Sequence, residues 1–222
     1  KFDIESKYKF IEIDSKKKKI IIEIEKEIKL IDDENQTINI DKFIKDENSN
    51  IKKSIIPEIF LYQRVSGHFI PFTSEAVFID DIPVVDIPVV IFHEQAHQMG
   101  YADEAEASFI AFTKAIKSNY ANIRYSGYFN ALINLLNDVV KSHPDEIDTY
   151  TSELDEKVLN DINYLQNFWS KYSDNIFDKI SNFIYDFYLK SNNQKSGILS
   201  YNQVSTYIID FFQRDQLGKI IN

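Results

Sequence analysis

Two histidines four residues apart, His93 and His97, constrain the fold of this chain more than any other feature of its sequence. Positions four apart on a helix differ by about 40° in azimuth and by one turn in height, so both imidazoles can point to the same spot. We predict such a helix here, with Asp86 as its N-cap, Pro88 near its first turn and Gly100 as its C-terminal stop.

Glu94 gives this pair of histidines a recognisable chemistry. Each imidazole can supply one nitrogen to a tetrahedral cation, and His-Glu-x-x-His is the pattern of zinc peptidases. Glu94 lies beside the first ligand, where its carboxylate can take a proton from a water held at the metal during attack on a carbonyl. We therefore predict one zinc ion per chain, bound by His93 and His97, with Glu94 as the general base.

A catalytic zinc needs a third protein ligand, and acidic side chains follow the helix closely. Gly100 can end the helix and turn the chain back under the metal, so that a residue a few positions later returns to it. We choose Glu104, in the first turn of the next helix. Glu106 is the alternative ligand, but it lies about 200° further round that helix. It is expected to face elsewhere and to bond the second nitrogen of a histidine.

The rival interpretation is that these histidines and glutamates are ordinary solvated residues of a helix surface. The whole set lies within the 14 residues from His93 to Glu106, in a chain that has only 4 histidines. The other two, His68 and His143, have no partner at ligand spacing, and we predict no ligand role for them.

Composition excludes several classes of partner. The 25 Lys and Arg residues stand against 35 Asp and Glu residues, and the resulting net charge of -10 would repel nucleic acid. With no cysteine, only histidines and carboxylates remain as metal ligands. No apolar run approaches the roughly 20 residues that span a bilayer. The chain begins with Lys and has no signal-peptide pattern, so we interpret it as an excised or processed part of a longer protein.

The order of segments predicts an α+β fold that is mainly α. Aromatic residues become dense from Phe60 onward, and we place a boundary near 48–54 between an N-terminal segment, 1–55, and a domain, 56–222. Periodicity in 20–30 fits a strand and a helix equally well. Residues 60–79 favour an exposed or edge strand that precedes the histidine helix. Further helices are predicted at 103–118, 126–141, 149–171, 176–190 and 201–214.

Several segments resemble an uncharacterised bacterial family of membrane-anchored, zinc-peptidase-like proteins. HEQAHQMGYADEAEASFIAF at 93–112, followed by RYSGYFNAL, is similar to that family's HELAHQRGxxxEDEANFxAF and its YSGY. SGHFIPFTSEA at 66–76 is similar to SGIYFPFTGEA, and YLKSNNQKSGILSY at 188–201 is similar to the family's C-terminal element. These matches cover most of residues 65–205 in order.

The resemblance implies a gluzincin-like, zincin-type metallopeptidase fold with Glu104 as the glutamate ligand. It also implies a location on the extracytoplasmic face of a bacterial membrane. The chain departs from the family by having Ser108 in place of the usual Asn, Val77 in place of another Asn, and no transmembrane helices. Set against the resemblance, the last departure implies a membrane anchor outside this chain.

Other candidate site residues follow from what a peptidase needs. A phenol opposite the general base would stabilise the oxyanion, and the candidates are Tyr128 and Tyr201, in elements shared with the family. The strand around 70–78 could hold an extended peptide by edge pairing, with Thr73 and Glu75 facing the groove. Glu75 could instead close a structural hydrogen bond with a turn.

The predicted function is therefore zinc-dependent hydrolysis of peptide bonds, with a peptide or protein as the substrate. One rival is a non-catalytic, zinc-containing domain that binds a peptide or a cell-envelope partner, although an intact Glu94 argues against it. Hydrolysis of a non-peptide amide, such as a cell-wall crosslink, would use the same site with a different groove.

Overall fold

A computed structural model describes the backbone of residues 2–32, 37–46, 51–173 and 201–221. Side chains are described for residues 16–31, 37–45, 51–173 and 203–214. This part of the chain is mainly helical and contains one three-stranded sheet, as the predicted α+β class requires. The α-helices are α1 (Phe2–Asp32), α2 (Ile40–Asp46), α3 (Pro57–Tyr62), α4 (Ile87–Gln98), α5 (Glu104–Ile116), α6 (Ala121–Ser142), α7 (Ile147–Thr151), α8 (Glu156–Ser170) and α9 (Tyr201–Ile221).

The sheet has the strand order β1-β3-β2, with β1 at Ile51–Lys53, β2 at Gly67–Ile70 and β3 at Glu75–Phe78. β1 runs parallel to β3, and β2 runs antiparallel to it. β2 is thus an edge strand that precedes α4. The predicted strand over 70–78 is instead part of a hairpin, in which a turn at 71–74 separates β2 from β3. β3 pairs on both sides, whereas β1 and β2 are the two edge strands.

Helix α4 has the predicted ends. Asp86 is its N-cap residue, Pro88 lies in its first turn and Met99 is its C-cap. Gly100 has φ +98°, a left-handed conformation that costs a glycine little and other residues more. The Asp86 side chain makes no capping hydrogen bond, although its position is the predicted one.

The other predicted helices agree with the structure to differing degrees. α5 begins after Asp103, whose carboxylate caps it. α6 starts five residues earlier than predicted and ends at Ser142, with His143 as its C-cap. The helix predicted over 149–171 is divided into α7 and α8, because Asp155 caps a new helix there. The helix predicted over 176–190 lies outside the described residues.

The N-terminal helix contributes directly to the main core. Ile20, Ile21, Ile24 and Ile28 are buried in the same cluster as Phe129 of α6. Residues 20–30, whose periodicity fits a strand and a helix equally well, are therefore helical. The four buried side chains lie on one helical face. The domain boundary near residue 55 stays a prediction. Helix α1, which lies before that boundary, packs against α6, which lies after it.

A second core fixes the position of α4. Buried Ile91 and Phe92 of α4 pack with Phe78 and Ile79 of the sheet on one side and with Ala111 of α5 on the other. The opposite face of α4 carries the two histidines. Among the described residues, no helix is long and apolar enough to span a membrane.

Candidate metal centre

Three side chains converge where α4 ends and α5 begins. His93 Nε2 lies 3.1 Å from His97 Nε2 and 3.2 Å from Glu104 Oε2, and His97 Nε2 lies 3.7 Å from the same carboxylate oxygen. All three side chains are only partly exposed. The structure therefore brings together the two histidines and the glutamate chosen from the sequence.

Short-range structure produces this convergence. The backbone N–H of Tyr101 donates to the carbonyl of Ala96, which folds the chain back at the left-handed Gly100. Asp103 then accepts hydrogen bonds from the N–H groups of Ala105 and Glu106 and starts α5. Glu104 consequently lies in the first helical turn.

The triangle of ligand atoms has the size that a zinc ion requires. Zinc lies about 2.0–2.2 Å from nitrogen and oxygen ligands, so tetrahedral geometry separates the ligand atoms by roughly 3.3–3.6 Å. The three separations in the structure, 3.1, 3.2 and 3.7 Å, bracket that range. Two imidazoles and one carboxylate are also a known donor set for catalytic zinc with one position left open.

The second nitrogen of each histidine already has a partner. His93 Nδ1 lies 3.2 Å from Ser108 Oγ, and His97 Nδ1 lies 2.6 Å from the carbonyl oxygen of Tyr101. These contacts orient both rings with Nε2 toward the centre. The expectation that Glu106 bonds a histidine is wrong, because its side chain is exposed on the other side of α5. The sequence does indicate this contact, since Ser108 lies one helical turn after Glu104 and therefore on the same side of α5.

The charges of the centre influence one another. Burial alone would raise the pKa of Glu104, but the hydrogen bonds and charges of His93 and His97 outweigh it and lower that pKa to about 2. For His97, burial opposes protonation, yet Glu104 and the Tyr101 carbonyl raise its pKa overall. A carboxylate that stays ionised between two imidazoles is a suitable environment for a cation.

Glu94 is buried beside the three ligands, with 6% of its surface exposed. Burial raises its pKa to about 7, while the nearby histidines oppose that shift. Its carboxylate packs against Gly67 at the start of β2: a Cβ added to Gly67 would lie 2.9 Å from Glu94 Oε1. Nothing in the sequence pattern alone predicted this contact.

Gly67→Ala is expected to destabilise the protein by about 1–3 kcal/mol, because the new Cβ would overpack the interface between β2 and α4. It would meet Val90 Cγ1 at 2.8 Å and Glu94 Oε1 at 2.9 Å. Gly67 does not have a positive φ, so backbone strain plays no part. Urea unfolding measures the change in the free energy of unfolding.

The double variant Gly67→Ala/Val90→Ala provides the control for this prediction. Val90→Ala removes one of the atoms in the way, so the cost of Gly67→Ala should be smaller in its presence. A cost below about 0.5 kcal/mol for Gly67→Ala alone would contradict the close approach.

The contacts observed for the remaining predicted site residues involve partners other than His93, His97 and Glu104. Glu75 pairs with Lys52 of β1 and accepts a hydrogen bond from Thr73, which is exposed in the turn. This arrangement matches the structural alternative for Glu75. Tyr128 packs edge-to-face on Phe112, with ring centroids 6.4 Å apart. Tyr201 begins α9, and its side chain lies outside the described residues.

Comparison with known proteins identifies the family but not the activity. Neither a curated protein nor a solved structure matches the chain. A family model described as a protein of unknown function, DUF3810, matches residues 6–209. This match extends from α1 to α9 and includes the whole candidate metal centre. The chain therefore belongs to the DUF3810 family.

Proposed function

We propose that this protein is a zinc-dependent peptide-bond hydrolase, a metalloendopeptidase, that holds one zinc ion through His93, His97 and Glu104. The observation that carries the proposal is the triangle of Nε2, Nε2 and Oε2 atoms, with separations of 3.1–3.7 Å. A structural zinc would be expected to have four protein ligands, whereas three leave one position open for chemistry. Among the described residues, no further His, Cys, Asp or Glu belongs to this group.

Glu94 supplies the acid-base function in this proposal. When bound, zinc provides the Lewis acidity that makes water nucleophilic near neutral pH and polarises a carbonyl. The Glu94 carboxylate accepts the proton of the attacking water and passes it to the leaving amine, so the peptide bond breaks with no other proton donor. Its burial beside Gly67 holds it in one place and excludes bulk water.

The free edge of β2 is the proposed place for the substrate backbone. An extended peptide can add to an exposed strand through main-chain hydrogen bonds. Gly67, at the beginning of β2, touches Glu94, so a peptide paired with this strand would run next to the general base. Tyr128 and Tyr201 remain the proposed donors to the oxyanion. The extracytoplasmic location is proposed from the family resemblance alone.

Metal removal tests the proposal directly. The purified chain is expected to contain about one zinc per molecule by elemental analysis. It should cleave members of a peptide library, lose that activity with 1,10-phenanthroline and regain it when zinc is added back. A chain that binds no zinc after equilibration with the metal would overturn the proposal. Full cleavage by the metal-free chain would do so as well.

A further inference from the structure

A cleft of about 710 Å³ lies on the side of α4 that faces α6 and α8. Its walls include Asp86 and Val90 of α4, Asn130 and Ile133 of α6, and Leu165 and Trp169 of α8. A cleft of this size and mixed character fits a side chain or a short peptide segment.

One wall of the cleft, at Val90, comes within a helical turn of Glu94. Val90 is one helical turn before Glu94, and both approach the same point: a Cβ on Gly67 would lie 2.8 Å from the Val90 methyl and 2.9 Å from the Glu94 carboxylate. Asp86 is a further turn away, on the same face of α4. The cleft thus begins at Val90, one helical turn from Glu94, and continues toward the N-terminus of that helix.

The Asp86 carboxylate is a notable lining group because no described residue neutralises it. It makes no capping hydrogen bond, and the described residues offer it no ion pair. Burial raises its pKa to about 7, with no neighbouring charge to oppose that effect. Burying a carboxylate without a partner is costly, so a cation that enters the cleft would be favoured.

We propose that this cleft selects peptide substrates with a lysine or arginine side chain close to the cleaved bond, and that Asp86 binds the cationic group. The inference rests on the proposed peptidase function. The overall charge of -10 attracts such substrates from a distance. Arg64 also lines the cleft, but it is exposed and its charge is screened by water, whereas Asp86 is partly buried.

The distances agree with this assignment. Asp86 precedes His93 by seven residues, which is roughly 10 Å along the helix axis. An extended peptide advances about 3.5 Å per residue, and a lysine side chain reaches roughly 6 Å further. A basic residue next to the cleaved bond can therefore place its charge near Asp86 while the bond lies at the zinc ligands.

The test uses two sets of blocked octapeptides, one with a single lysine moved through an alanine background and one with norleucine at the same positions. Cleavage is measured with the zinc-loaded full chain. Wild type should show a kcat/KM about tenfold to hundredfold higher for the best lysine peptide than for its norleucine counterpart. Asp86→Asn should remove that preference and leave the norleucine peptides nearly unchanged. Asp81→Asn, an exposed carboxylate in the loop before α4, is the matched control.

Binding gives a second readout that does not depend on turnover. Calorimetry with the Glu94→Gln chain should show a lower Kd for the lysine peptide, and adding Asp86→Asn should abolish the difference. If wild type cleaves both sets equally, the inference is overturned and the peptidase proposal stands. If neither set is cleaved, the peptidase proposal fails and the Kd values decide the inference. Equal Kd values overturn it, whereas a lysine preference that is lost with Asp86→Asn supports it. Should Asp86→Asn not fold, the wild-type lysine-to-norleucine ratio decides.

Discussion

Glu104→Ala is expected to lower zinc affinity by more than about 100-fold, so that the purified variant retains little metal. Its Oε2 lies 3.2 Å from His93 Nε2 and 3.7 Å from His97 Nε2, where a third ligand is required. Loss of groups that only orient a ligand already costs about 10–100-fold, and loss of the ligand itself should cost more. Competition with a fluorescent zinc chelator measures the affinity.

Glu106→Ala is the matched control for Glu104→Ala, because it removes the same type of side chain from an exposed position on the same helix. It should bind zinc as wild type does. Zinc loss with Glu106→Ala and retention with Glu104→Ala would contradict the assignment of the third ligand.

Glu94→Gln is expected to lower kcat by about 10²–10⁴-fold while the zinc content remains unchanged. Glutamine has nearly the same shape, so it can occupy the space beside Gly67 without moving the helix. Because the amide cannot accept the proton of the attacking water, only the acid-base step should be lost. Initial rates on a cleaved library peptide, together with elemental analysis, measure the two effects.

The control for Glu94→Gln is Glu106→Gln, which makes the same chemical change at an exposed site. Full activity in Glu94→Gln would remove the role given to Glu94. A wild-type chain that binds zinc but cleaves no peptide or other amide would instead favour the non-catalytic, peptide-binding alternative.

The centre could be predicted from sequence to an unusual extent because its residues are close together in the chain. His93 and His97 share a helical face, and Gly100 and Asp103 determine how the chain turns into α5. Glu104 follows immediately after that cap. Local backbone rules thus placed all three ligand candidates without knowledge of distant contacts.

Residues that support the centre were harder to predict when they come from distant segments. Gly67 precedes Glu94 by 27 positions in the chain. It approaches Glu94 only because β2 packs across α4. The hairpin at 67–78 was predicted as one strand, since β-branched and aromatic residues do not reveal where a turn interrupts pairing. The partner of Glu75 likewise depends on β1, which brings Lys52 next to it.

The sequence by itself determined the helix that carries His93 and His97, the end of that helix at Gly100 and the position of Glu104 beside the histidines. Each of these depends on spacing and backbone preference within a few turns. Only the tertiary structure decided that α1 is part of the core, that Ser108 and not Glu106 meets a histidine, and that Asp86 lines a cleft. The reason is physical. Helical spacing fixes neighbours along a segment, whereas burial and partners across segments depend on how whole elements pack.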